Sequence, residues 1–161
     1  MGKLFIRFRK ECNAPLDYEL KSAVRRAIAS ALEYEGFALD TEISFTLTDN
    51  KGIKELNARY RGVDRHTDVL SFPMYEVDEL SILPTTAQIE LGDIVISNER
   101  AREQAAELGN TYLEEIAFLC IHSVLHLLGY DHERSVEDDE LQCAHQREIV
   151  RLMNLRYKDE K

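Results

Sequence analysis

Residues 111–132 read TYLEEIAFLCIHSVLHLLGYDH, and the reading of this stretch decides the fold. Ile116 to Ile121 is an unbroken apolar run, and Leu113, Val124, Leu125, Leu127 and Leu128 extend it. A helix from Thr111 to about Leu128 is therefore apolar nearly all round, and such a helix belongs in the centre of a core. Its polar residues Glu115, His122 and His126 share one stripe at 100° per residue, and His122 and His126, four apart, aim their imidazoles from one face. Gly129 stands where a helix ends in a left-handed cap, and a reversal there carries His132 back towards the same point. Three imidazoles then meet at one ion. Neutral imidazole suits zinc, with nickel sharing the preference, and three protein ligands leave a fourth position open, as catalytic sites do. Glu115, two turns from His122, is too distant to be a ligand and reads as a surface carboxylate. Asp131, beside His132, competes with it for the role of steadying a ligand from outside the coordination sphere.

The spacing H-x-x-x-H-x-x-G-x-x-H is that of the metzincin proteases, which need Glu directly after the first histidine to deprotonate the water. Here that position is Ser123, and a hydroxyl is no general base. Peptide hydrolysis is demoted in favour of a hydrolase in which the metal polarises a phosphoryl oxygen or activates water.

Outward from this helix, periodicity gives a βα beginning. Residues 3–9, KLFIRFR, alternate as a half-buried strand, and from Leu16 a helical stripe of Leu20, Val24, Ala27, Ile28, Ala31 and Leu32 runs to a stop at Gly36. EISFTLT from Glu42 is a second strand, parallel to the first if the two share a sheet. Asp49 caps a helix over IKELNARY. DVLSF from Asp68 and DIVIS from Asp93 form an antiparallel pair, and the long connection over residues 74–90 is expected to flank the substrate cleft. NERAREQAAELG is a helix capped by Asn98 and closed by Gly109. Ser135 with Asp138 reads as a capping box that opens a last helix, with Leu141, Ile149, Leu152 and Met153 among its apolar positions. The expected fold is α+β: one domain over residues 1–161, with a small mixed four-stranded sheet packed with helices and a zincin-like metal helix.

The chain has 161 residues, 44% of them hydrophobic, which is enough for one core. Its three cysteines, Cys12, Cys120 and Cys143, form neither a disulfide framework nor a C-x-x-C pair, so a reducing compartment is expected. MGKLFIRFRK lacks the apolar core of a signal peptide, and no apolar stretch reaches the roughly 20 residues of a membrane span. The expectation is a cytoplasmic protein without membrane partners. Thirty acidic against twenty basic residues give a net charge of −10, which weighs against nucleic-acid binding. Yet Lys3, Arg7, Arg9 and Lys10 cluster, as do Arg59, Arg61 and Arg65, so a local basic groove with weak, salt-sensitive RNA affinity is expected.

Four separated segments resemble the bacterial rRNA maturation endoribonucleases called YbeY. They are LNARYRGVDRHTDVLSFP (Leu56 to Pro73), LGDIVIS (Leu91 to Ser97), the histidine run, and the acidic helix after it. The resemblance covers roughly Ile43 to Val150. It departs at Ser123, where the family often has glycine, and at His66, where proline is common. It implies a single-strand-specific, metal-dependent endoribonuclease acting in 16S rRNA 3′-end maturation and ribosome quality control. Its partners would be rRNA and the small ribosomal subunit, with ribosomal proteins and a ribosome-assembly GTPase beside them. By position it implies one zinc per chain on His122, His126 and His132, with Arg61 as the catalytic arginine. A guanidinium is a planar fork of donors suited to charge on equatorial phosphoryl oxygens. The proton acceptor is left open between the metal's water, a substrate phosphate oxygen and His66. Two rivals are a metzincin-like metalloprotease and a non-catalytic zinc-binding, ribosome-associated protein in which a fourth protein ligand closes the sphere.

Overall fold

Alternation along residues 40–48 sets the sheet: Ile43, Phe45 and Leu47 are fully buried, while Glu42, Ser44 and Thr46 between them keep partial exposure. The computed structural model describes residues 2–131 and 135–155. Four strands, β1 (Leu4–Lys10), β2 (Asp40–Thr48), β3 (Val69–Pro73) and β4 (Gln88–Ser97), form one sheet in the order β1-β2-β4-β3. β1 pairs parallel with β2, β2 parallel with β4, and β3 antiparallel with β4. The expected mixed α+β sheet is present. β3 is an edge strand that ends at Pro73, which has no N–H to give the ladder.

The register slips between Glu42 and Ile43, and Gly92 takes the place opposite Ile43. A side chain there would meet the Phe72 carbonyl oxygen at 2.5 Å and Leu127 at 2.7 Å, so only glycine lets β3 and the helix that carries Leu127 close on this bulge.

Six helices complete the described residues: α1 (Tyr18–Tyr34), α2 (Asn50–Arg61), α3 (Val77–Ser81), α4 (Asn98–Leu108), α5 (Tyr112–Leu127) and α6 (Val136–Leu152). α1 starts at Asp17, whose carboxylate accepts the Leu20 N–H, and buries the six residues of the expected stripe. Each of Leu20, Val24, Ile28 and Leu32 contributes about 1.5–3 kcal/mol by leaving water. α5 begins in a capping box of Thr111 and Glu114 and meets α1, α4, α6, β3 and β4. It is the central helix that its composition demands. α2, capped by Asp49, lies on the other face of the sheet, where Ile53 packs with Leu70 and Val95 in a second, smaller core.

Two expectations need correction. Ser97 caps α4, with Asn98 as its first helical residue. The connection from β3 to β4 holds the five-residue helix α3, too short to show as periodicity. Leu141 and Leu152 are 48% and 58% exposed, whereas the buried face of α6 is Gln142, Gln146 and Ile149. Ser135 caps α6 as expected, accepting the Asp138 N–H.

Candidate metal centre

His122 and His126 stand one turn apart on α5, and the neighbouring helix sets the chemistry of the first. Nδ1 of His122 lies 2.7 Å from Oε1 of Gln146 on α6. An amide oxygen only accepts, so the proton is assigned to Nδ1 and the lone pair to Nε2. Gln142 donates its amide N–H to the His122 carbonyl oxygen at 3.3 Å, which ties the same turn of α5 to α6. Both glutamines are nearly fully buried, at 1% and 6% exposure. A ring with one nitrogen donating to a fixed acceptor presents the other as a ligand, the arrangement metal-binding histidines usually show.

The end of α5 turns as the sequence suggests. Gly129 has φ +111°, its N–H donates to the His126 carbonyl oxygen at 3.0 Å, and the Tyr130 N–H donates to the Leu125 carbonyl oxygen at 3.1 Å. This pair of bonds is a Schellman motif, and it sends the chain back over the last turn. A Cβ on residue 129 would also press on Val77 of α3 at 3.0 Å. His132, the third expected ligand, lies outside the described residues. Among the described residues no three histidine, cysteine or acidic side chains gather as a metal set. The two described histidines nonetheless fit zinc as a donor set: two imidazoles on one rigid helix, the first with its Nε2 lone pair assigned.

Two hollows flank the histidines. His126 lines one of about 590 Å³ with Pro73, Tyr75, Val77, Gly129 and Asp131, so residues of the connection after β3 lie on its wall. His122 lines another of about 490 Å³ with Asp68, Arg100, Gln104 and Glu115. Glu115 is 1% exposed, which corrects its reading as a surface carboxylate. Gln104 of α4 donates to Glu115 Oε1 at 2.9 Å and to Asp68 Oδ2 at 3.1 Å, so the two carboxylates share an amide on the cleft wall. Burial of this charge follows from the position of α5 in the core, and the Gln104 bond offsets part of its desolvation.

Ser123, where a metzincin would place its base, is fully buried and hydrogen-bonded to Ser71 Oγ of β3. It faces the sheet. Arg61 is the exposed last residue of α2, and the segment after it runs to Asp68, which lines the His122 cleft. His66 is exposed in that segment. Of the basic clusters, Arg7 and Arg9 of β1 line a groove of about 510 Å³ together with Tyr60 of α2. Arg7 is paired with Glu42 at 3.3 Å and Arg9 with Glu11 at 3.9 Å, which lowers the positive charge of the groove.

The family model described as Endoribonuclease YbeY matches residues 6–154. The chain belongs to the YbeY family. An Endoribonuclease YbeY of Agathobacter rectalis is 41% identical over 163 residues, covering 94% of this chain and 97% of that protein. One from Roseiflexus sp. (strain RS-1) is 44% identical over 138 residues, covering 86% of each. The solution structure of TM1509 from Thermotoga maritima superposes with a TM-score of 0.57 at 30% identity, covering 93% of this chain and 92% of that one. The YbeY match spans both hollows and all of α5. No helix among the described residues is long and apolar enough to cross a membrane.

Gln142 and Gln146, which hydrogen-bond to His122, have no counterpart among the residues singled out from the sequence. Their spacing with Ile149, i, i+4 and i+7, is a helical stripe, but two amides in it hide the pattern from a search for apolar residues.

Proposed function

We propose that this chain is a zinc-dependent endoribonuclease specific for single-stranded RNA, acting in 16S rRNA 3′-end maturation and ribosome quality control in the cytoplasm. Family membership supports RNA cleavage, and the His122–Gln146 hydrogen bond is the observation that carries the metal reading. His122, His126 and His132 hold one zinc, with nickel compatible with the same donors. Bound zinc supplies Lewis acidity toward a phosphoryl oxygen or a water. Arg61 places its guanidinium on the phosphate and stabilises the charge that develops there, an effect worth about 3–4 kcal/mol for a single preorganised donor. With a net charge of −10, affinity for RNA alone is low, and the small ribosomal subunit, ribosomal proteins and a ribosome-assembly GTPase are the proposed partners that bring the substrate.

The protease reading loses its ground at Ser123, which is sealed against Ser71 and leaves no carboxylate at the place where that mechanism needs one. The test is to offer zinc-loaded and metal-stripped protein a single-stranded rRNA fragment, its duplex and casein. Cleavage of the single strand alone, lost on stripping and restored by zinc, is the expected result. Cleavage of casein, or equal cleavage of the duplex, contradicts it.

A further inference from the structure

Ile53 and Asn57, four apart, are the two buried residues of α2, and Asn57 is only 4% exposed. Its Nδ2 donates to the Arg65 carbonyl oxygen at 3.0 Å, while its Oδ1 is buried and has no hydrogen-bond partner among the described residues. Leucine has nearly the same shape and no polar atom to desolvate, so packing beside Ile53 would be better served by an apolar side chain. What the amide adds is the bond to Arg65.

That bond ties down the chain that leaves α2. The helix closes at Gly62, φ +70°, where the Gly62 N–H donates to the Ala58 carbonyl oxygen at 3.2 Å and the Val63 N–H to that of Asn57 at 3.3 Å. Asn57 therefore holds the outgoing segment twice, by its backbone at Val63 and by its side chain at Arg65. Arg61 lies inside this closure, one turn beyond Asn57 on the same side of the helix. At the far end the Ser97 N–H donates to the Asp68 carbonyl oxygen at 2.9 Å and Gln104 donates to Asp68 Oδ2 at 3.1 Å, so the segment runs between two anchors. The last turn of a helix frays where nothing holds it, whereas a group that stabilises developing charge has to be kept within about 0.5 Å of its working position.

We propose that Asn57 is a positioning residue for Arg61: its buried amide clips the segment after α2 and so fixes the helical turn from which the guanidinium reaches the phosphate. The proposal rests on the reading of Arg61 as the residue that stabilises charge on the phosphate. Zinc binding by the α5 histidines does not pass through this contact.

Asn57→Leu removes the clip and keeps the shape, and Asn57→Ala, with no added bulk, takes its place should the leucine variant fail to fold. Zinc-loaded proteins are compared in cleavage of a single-stranded rRNA fragment, with each substitution also made in the Arg61→Ala background. Asn57→Leu is expected to lower kcat about 10-fold at unchanged zinc content, while its urea midpoint does not fall. With Arg61→Ala present it should lower cleavage no further, because the residue it acts through is gone. Limited trypsin digestion gives a readout independent of catalysis: cutting after Arg65 is expected to quicken about 5-fold once its carbonyl is released. Unchanged kcat, or an unchanged rate of cutting after Arg65, overturns the proposal. An equal loss of cleavage with and without Arg61 also overturns it, since that is the signature of a general scaffold. Arg61→Ala with undiminished cleavage sinks the reading of Arg61 itself, and it is recognised apart because Asn57 is intact in that protein.

Discussion

Gln146 of α6 holds His122 of α5 by its Nδ1 at 2.7 Å, so a residue of another helix sets the orientation of the His122 ring and assigns its proton to Nδ1. Gln146→Ala removes the acceptor and frees the ring to rotate or change tautomer. Zinc affinity is expected to fall about 10- to 100-fold, the usual range for such supporting partners. Gln146→Glu keeps an acceptor at the same reach and should retain most of the affinity. Isothermal titration of the three metal-stripped proteins checks both.

Ser123 and Ser71 satisfy each other across the contact of α5 with β3. Ser71→Ala leaves the fully buried Ser123 hydroxyl without this partner and is expected to cost about 1–3 kcal/mol in urea unfolding. The double variant with Ser123→Ala should cost less than the sum of the two singles, because it removes both polar groups together. Strict additivity would show that the pair does not interact.

Cys120 is fully buried on α5, and burial pushes its thiol above the ordinary cysteine range. An unfolded thiol ionises near about pH 8.5, so only the unfolded state releases this proton as pH rises past that value. Stability from Cys120 is thus complete below about pH 8.5 and lost above it. Between pH 8 and pH 9.5 the unaltered protein should lose about 1 kcal/mol more than Cys120→Ala. Denaturant titrations at the two pH values measure the difference. In the native protein iodoacetamide should label the half-buried Cys12 and Cys143 and spare Cys120.

What could be read from the sequence followed from where the information lies. The stripe of α1, the alternation of β2 and the helical reversal at Gly129 are local patterns of period 3.6, period 2 and a glycine stop, and each appears as read. Glu115 was misplaced because its partner Gln104 sits on α4, and no local pattern announces an amide arriving from another helix. The same holds for Gln146, whose meaning depends on α6 lying against His122. Leu141 and Leu152 are apolar positions of α6 that stay exposed, because the face of α6 turned inward is made by Gln142, Gln146 and Ile149. Local order was legible, and polar partnerships between helices were not.

In the proposed function Arg61, at the end of α2, acts on the phosphate and not on the metal. Arg61→Ala is therefore expected to bind zinc as the unaltered protein does while losing about 100-fold or more in turnover, the scale of a single charge-stabilising donor. His126→Ala is expected to lose the metal and the activity together.

Zinc content by elemental analysis, measured on the same preparations as cleavage of a single-stranded rRNA fragment, compares the unaltered chain with His126→Ala and Arg61→Ala. One zinc per chain and cleavage in the first, neither in the second, and zinc without cleavage in the third is the predicted pattern. Full zinc content and undiminished cleavage in His126→Ala would contradict a catalytic metal held by the α5 histidines.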